Sequence, residues 1–323
     1  HVRATDAVRR AAAARDPSMA DFAALAANAK KAPNVKNAVL LLKHMRAHKV
    51  RRSDLVVTYG GIALRNAKRL GDDAWAVYEQ TLLAALDVDD QPLAKTCADA
   101  LLARFEPKDG GKPSARVERL KGLVAEARGD WDGALAKYAG LLEANAANAA
   151  ALKREICVLK GKGAAPAAVA EALNGYVVKF QSDQSAWQAL GELYAANLRF
   201  ADAIFCYEEL TLFDPLAQHY HRRLGELYYS LAAANAKDAE PRYRHARKYF
   251  AKSLELRKAA NARAATGLLL ACSALKVLVR GDKVDADDEL NAALGSVAAA
   301  HLKAAYAKAP AELQAANAAV LDA

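Results

Sequence analysis

The spacing of bulky and small residues over residues 184–215 constrains the fold of this chain more than any other feature of its sequence. Large side chains recur there at the three- and four-residue intervals that place them on one face of a helix. Two small residues, Gly191 and Ala203, lie among them, and Pro215 closes the stretch. The stretch therefore predicts two antiparallel helices that approach closely at their small residues and end at the proline.

These positions match the tetratricopeptide repeat, a helix–turn–helix unit of about 34 residues with the consensus W-x2-L-G-x2-Y, A-x3-F and P. Tyrosine replaces the consensus phenylalanine of the second helix. We predict that the small residues set the helix spacing and that the aromatic residues fill it. The matching residues, which we take as the structural core of the repeat, are Trp187, Leu190, Gly191, Tyr194, Ala203, Tyr207, Leu210 and Pro215.

Weaker units continue the same frame in both directions and give about five to six helical hairpins between residues 75 and 280. The hairpin after Tyr228 carries a nine-residue insertion, for which we predict an extended first helix and a loop broken at Pro241. Single repeats cannot bury their apolar faces alone, so neighbours must stack. We therefore predict an all-α tetratricopeptide-repeat α-solenoid over 71–280, with basic capping helices at 1–70 and further capping helices at 281–323.

The net charge of +9 is concentrated at the start of the chain. Residues 1–70 carry 15 lysines and arginines against 4 acidic residues, whereas residues 71–323 carry 31 against 33. Such a segment suits an acidic partner or an anionic membrane surface, and a solvated helix face explains it equally well. No nucleic-acid partner is expected.

Membrane and redox signals are weak. The longest apolar run, residues 267–279, is shorter than the ~18 residues of a membrane span and contains Lys276. No secretory signal is visible, and we expect a soluble protein whose natural start precedes His1. The cysteines lack the short spacings of zinc or redox sites, and we predict that all four are reduced and packed. They are Cys97, Cys157, Cys206 and Cys272.

No catalytic constellation is evident. The segment GKGAAP at residues 161–166 lacks the spacing of a phosphate-binding loop. His44 and His48 are one helical turn apart, but cations surround them and no nearby carboxylate completes a metal site. The acidic run at residues 285–289 is typical of a helix N-terminus. We therefore predict a protein that is not an enzyme and has no catalytic residues, cofactor or metal.

The first helix of each repeat directs its fifth position into the concave groove, and three arginines occupy that position here. Guanidinium groups bind acidic side chains and carbonyls well. Equally, these arginines could simply pair with neighbours such as Glu155 and Glu226. The residues that we predict to bind a partner in the groove are Arg119, Lys153, Arg154, Gln188 and Arg222.

Co-chaperones of this repeat class grip a C-terminal carboxylate with lysine at position 5 and asparagine at position 9. Position 9 here holds Leu123, Val158, Glu192 and Glu226. The two glutamates would repel a carboxylate, and no asparagine replaces them. This pattern disfavours the carboxylate clamp.

Three stretches resemble one family of repeat proteins. They read LGDDAWAVYEQTLLAALD at residues 70–87, DQSAWQALGELYAANLRFADAIFCYEEL at 183–210 and RKYFAKSLEL at 247–256. The motif LGD..W..YEQ, which opens the first stretch, and the helix AIFCYEEL are not general features of this repeat. On these residues the chain is similar, from residue 70 to about 275, to the family of subunit 2 of the endoplasmic reticulum membrane protein complex.

That resemblance implies a cytosolic scaffold attached peripherally to the endoplasmic reticulum membrane. Its expected partners are other subunits of a hetero-oligomer, namely cytosolic segments of membrane subunits and a cytosolic partner subunit. The complex inserts transmembrane segments of tail-anchored and multipass proteins. Two alternatives remain open: a peptide-binding co-chaperone or adaptor, and an unrelated repeat scaffold of a nuclear or RNA-processing assembly.

Overall fold

A computed structural model describes residues 17–106, 114–257, 261–278 and 286–322. Within these ranges the backbone forms sixteen α-helices, two short 3-10 helices and no strand, which confirms the predicted all-α class. The helices are α1 (Pro17–Lys31), α2 (Val35–Ala47), α3 (Ser53–Leu64), α4 (Asp73–Asp87), α5 (Gln91–Phe105), α6 (Ala115–Ala127), α7 (Trp131–Ala144), α8 (Ala149–Gly161), α9 (Pro166–Lys179), α10 (Gln184–Ala196), α11 (Phe200–Phe213), α12 (Gln218–Ala234), α13 (Ala239–Leu256), α14 (Ala262–Leu278), α15 (Ala286–Tyr306) and α16 (Ala311–Asp322).

The chain divides into two compact units, here called unit 1 (His1–Lys162) and unit 2 (Gly163–Ala323). The division lies between α8 and α9, inside the predicted 71–280 segment. Residues 1–16 of the predicted N-terminal cap and the predicted boundary at 280 lie outside the described residues. The capping role of the two terminal segments stays a prediction.

In unit 1 consecutive helices pack against each other along one apolar side. The helices before the repeats, α2 and α3, share a core with α4 that contains Leu41, Leu42, Met45 and Val77. The turns between the following helices end in polar caps, because the side chains of Asp90, Asp130 and Asn148 each accept a hydrogen bond from a first-turn backbone N–H. These caps explain why the polar residues between the apolar runs mark the helix starts.

The turn between α6 and α7 shows how the sequence ARGDWDGA builds a sharp corner. Gly129 has a φ of +75°, a left-handed conformation that costs a glycine little. Asp130 follows it and accepts a hydrogen bond from the N–H of Gly133 at 2.9 Å, which begins α7. The corner lets α7 fold back onto α6.

A glycine in contact with an aromatic ring joins the two helices of three hairpins. In each case a Cβ atom added to the glycine would lie less than 3 Å from the ring, closer than real Cβ contacts allow. Both members sit at the consensus small and aromatic positions of the repeat. The pairs are Gly122 with Tyr138 in α6 and α7, Gly191 with Tyr207 in α10 and α11, and Gly225 with Phe250 in α12 and α13.

Unit 2 contains the hairpin with the insertion, formed by α12 and α13. As predicted, its first helix is long, reaching Ala234. The prediction of a loop broken at Pro241 is wrong. Only a 3-10 turn over Ala236–Asp238 separates the helices, and Pro241 lies in the first turn of α13. A proline is tolerated there because first-turn N–H groups have no partner within the helix.

The inserted residues lengthen α13 at its start, and Arg247, directly after the consensus small residue Ala246, is buried and faces α15. Arg247 donates a hydrogen bond to Asn291 Oδ1 at 3.1 Å and forms an ion pair with Asp287. The guanidinium holds the pKa of Asp287 below its usual range. Asp287 lies in the first turn of α15, as predicted for the acidic run there, whose Asp285 lies outside the described residues. The run therefore also binds α15 to α13.

All four cysteines are free thiols, and three of them are buried. Burial raises the pKa of Cys97 and of Cys272 to about 11 and that of Cys206 to about 12. The prediction that all four are packed is wrong for Cys157, which is exposed. Its side chain lies one helical turn after Lys153, on the side of α8 that faces away from the core.

None of the helices in the described ranges has both the length and the apolar composition needed to cross a bilayer.

We predict that Gly122→Ala lowers the free energy of unfolding by about 1–3 kcal/mol, because the added methyl group would meet the Tyr138 ring. Urea denaturation followed by circular dichroism measures the change. Gly140→Ala in the neighbouring α7 is the matched control, since its Cβ would meet nothing within 4 Å. It should be neutral or stabilise by up to about 1 kcal/mol. Equal losses in both variants would contradict the packing role of Gly122.

Candidate functional site

The residues predicted to bind a partner separate into two sets. Arg119, Lys153 and Arg154 line one open groove in unit 1. Gln188 and Arg222 belong to unit 2, on α10 and α12. The structure therefore brings three of the five together in one groove.

This groove, called the unit 1 groove below, has a volume of about 890 Å³. Residues of α2, α3, α4, α6 and α8 line it, together with the turn after α2 and the start of α7. Repeat helices form one part of its wall. Helices that precede the repeats form the other.

Positive charge dominates the groove wall. Two carboxylates line it, those of Asp87 and Glu126, against seven cations. Three of the cations are among the predicted groove residues. The seven are Arg46, Lys49, Arg51, Arg52, Arg119, Lys153 and Arg154.

Sequence reasoning missed the four cations at the α2–α3 end of the groove. The repeat frame supplies no position for them, because they precede the first repeat. The available signal was the charge of residues 1–70, which is strongly basic. The structure shows that a part of this charge faces the same groove as the repeat arginines.

Arg154 is held by a hydrogen-bond network that also fixes the neighbouring helices. Its Nε donates to Glu126 Oε1 at 2.9 Å, and its terminal nitrogen forms an ion pair with the same carboxylate. Tyr138 donates its hydroxyl to Glu126 at 2.5 Å. Burial and this hydrogen bond raise the pKa of Tyr138, so the hydroxyl remains a donor. Arg154 thus pairs with Glu126 of α6 and not with its neighbour Glu155.

Arg119 and Arg46 are less completely paired. Arg119 forms an ion pair with Glu79 at 3.7 Å, and its Nε is buried without an acceptor among the described residues. Arg46 donates to Gln80 Oε1 at 2.7 Å, a neutral acceptor. Burial lowers the pKa of Arg46 from its usual value. Both guanidinium groups would gain from an anionic acceptor in the groove.

At the rim, Arg51 and Ser53 both contact the carboxylate of Asp87. Arg51 donates at 2.7 Å and Ser53 at 2.6 Å. Burial alone would raise the pKa of Asp87, but these hydrogen bonds lower it below its usual range. Lys49, beside them in a left-handed turn, makes no ion pair with any described residue. The rim therefore keeps cationic charge that is not neutralised within the structure.

The groove also presents apolar surface between its charges. Leu83 and Leu86 of α4, Leu123 of α6 and the ring of Trp131 contribute to the wall. The exposed Cys157 lies on the same wall. A ligand that fits this surface has acidic groups for the cations and apolar side chains for the leucines.

The predicted residues of unit 2 have other surroundings. Gln188 is exposed on α10. Arg222 donates to Glu226 Oε1 at 2.5 Å, and Arg263 contacts the same carboxylate at 2.6 Å. Glu192 accepts hydrogen bonds from Tyr207 and, at 2.9 Å, from Arg223. Arginines thus neutralise both position-9 glutamates, so the charge of these glutamates no longer argues against a carboxylate clamp. The lack of asparagine at position 9 remains the argument against it.

The residues taken as repeat core occupy α10, α11 and the turn after α11. Trp187 is half-buried and donates its indole N–H to the carbonyl of Gln181 at 2.8 Å. Pro215 is exposed in the turn before α12. The buried members are Leu190, Gly191, Tyr194, Ala203, Tyr207 and Leu210.

Among the described residues the histidine pair does not form part of a larger group of potential metal ligands. The rings of His44 and His48 lie 4.3 Å apart between centroids. Within the described ranges no group of three or more His, Cys, Asp or Glu side chains could hold a metal ion.

Comparison with known proteins identifies one family. Residues 111–237 match the model of the EMC2 TPR-like repeat domain. The chain is 36% identical over 230 residues to ER membrane protein complex subunit 2 of Xenopus tropicalis, covering 71% of this chain and 73% of the relative. It is 32% identical over 185 residues to the TPR repeat protein oca3 of Schizosaccharomyces pombe, covering 57% and 62%.

Among solved structures, the C-terminal part of a TPR repeat-containing protein from Cytophaga hutchinsonii is similar in fold. The TM-score is 0.54 at 13% identity, over 80% of this chain and 95% of that one. This likeness concerns the fold alone. With the hairpins described above, it confirms the predicted tetratricopeptide-repeat α-solenoid class.

We predict that Glu126→Gln lowers the free energy of unfolding by about 1–3 kcal/mol. The amide would turn an N–H group toward donors of Arg154 or Tyr138 and leave one of them unsatisfied. Thermal unfolding monitored by circular dichroism measures the loss. Glu143→Gln, on an exposed position of α7, is the control and should change stability little. A loss no larger than that of the control would refute the structural role of Glu126.

We also predict that the native protein reacts rapidly with a maleimide at one thiol, that of Cys157. The other three are buried and have a raised pKa, so little thiolate reaches the reagent. Mass spectrometry of labelled native protein should show a single adduct, and Cys157→Ser should remove it. Unfolded protein should take up four labels. A second rapid native adduct would contradict the burial.

Proposed function

The chain belongs to the family of ER membrane protein complex subunit 2, and we propose that it serves as a non-catalytic scaffold subunit of that complex. Other subunits of the complex are then its partners. In this proposal it lies on the cytoplasmic face of the endoplasmic reticulum membrane without spanning it. There it braces an assembly that inserts transmembrane segments of tail-anchored and multipass proteins.

The unit 1 groove is the observation that carries this proposal. A scaffold needs a surface that holds a partner segment, and the groove combines excess cationic charge with apolar wall. Arg119 has a buried N–H that lacks an acceptor among the described residues. We propose that an acidic, partly apolar segment of a partner subunit lies in this groove. Its carboxylates would face Lys49 and Arg51, and its carbonyls or carboxylates would reach Arg119.

Lys153 and Arg154 remain in the proposed binding set, but Arg154 is a poor choice for charge reversal. A glutamate at position 154 would face Glu126 across a partly buried contact and destabilise the fold. A loss of partner binding would then have two explanations. The cations at the rim avoid this problem because Arg51 is highly exposed and its ion pair with Asp87 contributes little to stability.

We predict that the double variant Lys49→Glu, Arg51→Glu retains its helicity but recovers about tenfold less of the other subunits from detergent-solubilised membranes. Affinity purification followed by quantitative mass spectrometry measures the recovery. The control variant Lys43→Glu, Lys95→Glu changes the net charge equally, at exposed positions of the same unit outside the groove. Its recovery should equal that of the unaltered chain.

The same purification tests the proposal as a whole. Membrane subunits of insertase character should copurify with the unaltered chain, and soluble partners alone would refute the scaffold role. If membrane subunits copurify equally with both double variants, the groove assignment fails while the scaffold role stands. Cys157 gives an independent readout, because a segment in the groove should slow its alkylation in the assembled complex about tenfold.

A further inference from the structure

Helix α11 of unit 2 has an outward face that the repeat fold does not use. Phe205 and Leu212, two turns apart on this helix, are 56% and 74% exposed. Leu198, in the turn before the helix, and Leu216, in the turn after it, are each 74% exposed. Phe205 and Leu212, seven residues apart within α11, lie along one line of the helix surface, and Leu198 and Leu216 flank the two ends of the helix. We call these four residues the α11 stripe.

This stripe is not a by-product of the repeat consensus. The core side of the helix is formed by Ala203, Cys206, Tyr207 and Leu210, all of which are buried. Phe205 makes an edge-to-face contact with the half-buried Trp187 ring, with centroids 6.1 Å apart, and is still 56% exposed. Large apolar side chains aligned on a water-exposed face mark interaction sites more often than isolated ones do.

Leu198 provides a further sign that the stripe is selected for something other than folding. Its φ of +60° is in the left-handed region, which is strained for leucine. Gly129 holds the equivalent place in the turn between α6 and α7, two residues after one helix ends and two before the next begins. A glycine would make the same turn without strain, so the leucine side chain is not present for the sake of the turn.

One charge lies in the middle of the stripe. Glu209 follows Phe205 by four residues and precedes Leu212 by three, which places it between them on the same face. Its side chain is partly buried and makes no hydrogen bond or ion pair with any described residue. Helix α11 contains no lysine or arginine, whereas Asp202 and Glu208 add to its negative charge. A carboxylate covered by an apolar partner would need a cation opposite it.

We propose that the α11 stripe binds an amphipathic helix that carries a lysine or arginine at the centre of its apolar face. The apolar side chains of that helix would cover Leu198, Phe205, Leu212 and Leu216, and its central cation would pair with Glu209. This surface lies in unit 2 and does not depend on the groove of unit 1.

The charge distribution argues against two other occupants. A second copy of the chain would pair by two-fold symmetry, which brings the centre of the stripe against itself. Glu209 would then face its own copy with no cation on either helix. An anionic bilayer attracts lysine and arginine, whereas every charged residue of α11 is acidic and the neighbouring Arg199 is paired with Asp202. A cationic amphipathic helix satisfies both the apolar and the charged groups.

The test uses two synthetic helical peptides of about 20 residues, roughly 30 Å long, with leucines along one face. One has a lysine at the centre of that face and the other a glutamate. Fluorescence anisotropy with the full chain should show that the lysine peptide binds about tenfold more tightly. Glu209→Lys should reverse this preference. Glu171→Lys, on an exposed position of α9, is the control and should leave it unchanged.

A second variant separates binding from folding. Leu198→Gly relieves the strained turn, so it should fold at least as stably as the unaltered chain while binding the lysine peptide several-fold more weakly. The proposal fails if neither peptide binds or if Glu209→Lys does not reverse the preference. It also fails if light scattering shows a dimer that Leu212→Ser dissociates. Binding to phosphatidylserine vesicles that Leu212→Ser abolishes would assign the stripe to lipid instead and overturn the proposal.

Discussion

Contact between a glycine and an aromatic ring sets the helix spacing on which the rest of this structure depends. In α6 and α7 the ring of Tyr138 occupies the space that a Cβ of Gly122 would need, and two later hairpins repeat the contact. Because the backbones approach so closely, each hairpin buries its apolar side and turns its polar positions outward. Phe250 also contacts a second glycine, Gly267 of α14, and so sets the distance between α13 and α14 in the same way.

Two of these aromatic residues also position charged side chains between the helices. Tyr138 and Tyr207 each donate a hydroxyl to a glutamate of the preceding helix, and an arginine of a later helix pairs with that glutamate. The arrangement satisfies a buried hydroxyl, a carboxylate and a guanidinium together. It also means that an arginine at a groove position, such as Arg154, supports the fold as well as facing the groove. Lys49, which forms no ion pair with any described residue, lies outside the repeat frame.

The two proposed surfaces have opposite chemistry. The unit 1 groove is cationic with apolar wall and suits an acidic segment. The α11 stripe is apolar around one unpaired carboxylate and suits a cationic helix. A scaffold that offers surfaces of opposite charge can bind two kinds of partner, since each surface repels the segment that the other accepts. Neither surface requires a reacting group, in keeping with the proposed non-catalytic role.

The sequence by itself determined the class of the fold, because the repeat positions Gly191, Ala203 and Tyr207 act through local spacing that one hairpin already contains. It also indicated the family, through residues such as those of the AIFCYEEL helix. Only the tertiary structure decided which charges are available. Arg154 and Glu126 are 28 residues apart in the chain, and Lys49 joins their groove from outside the repeat. Such pairings depend on how helices distant in the sequence pack, which no local pattern encodes.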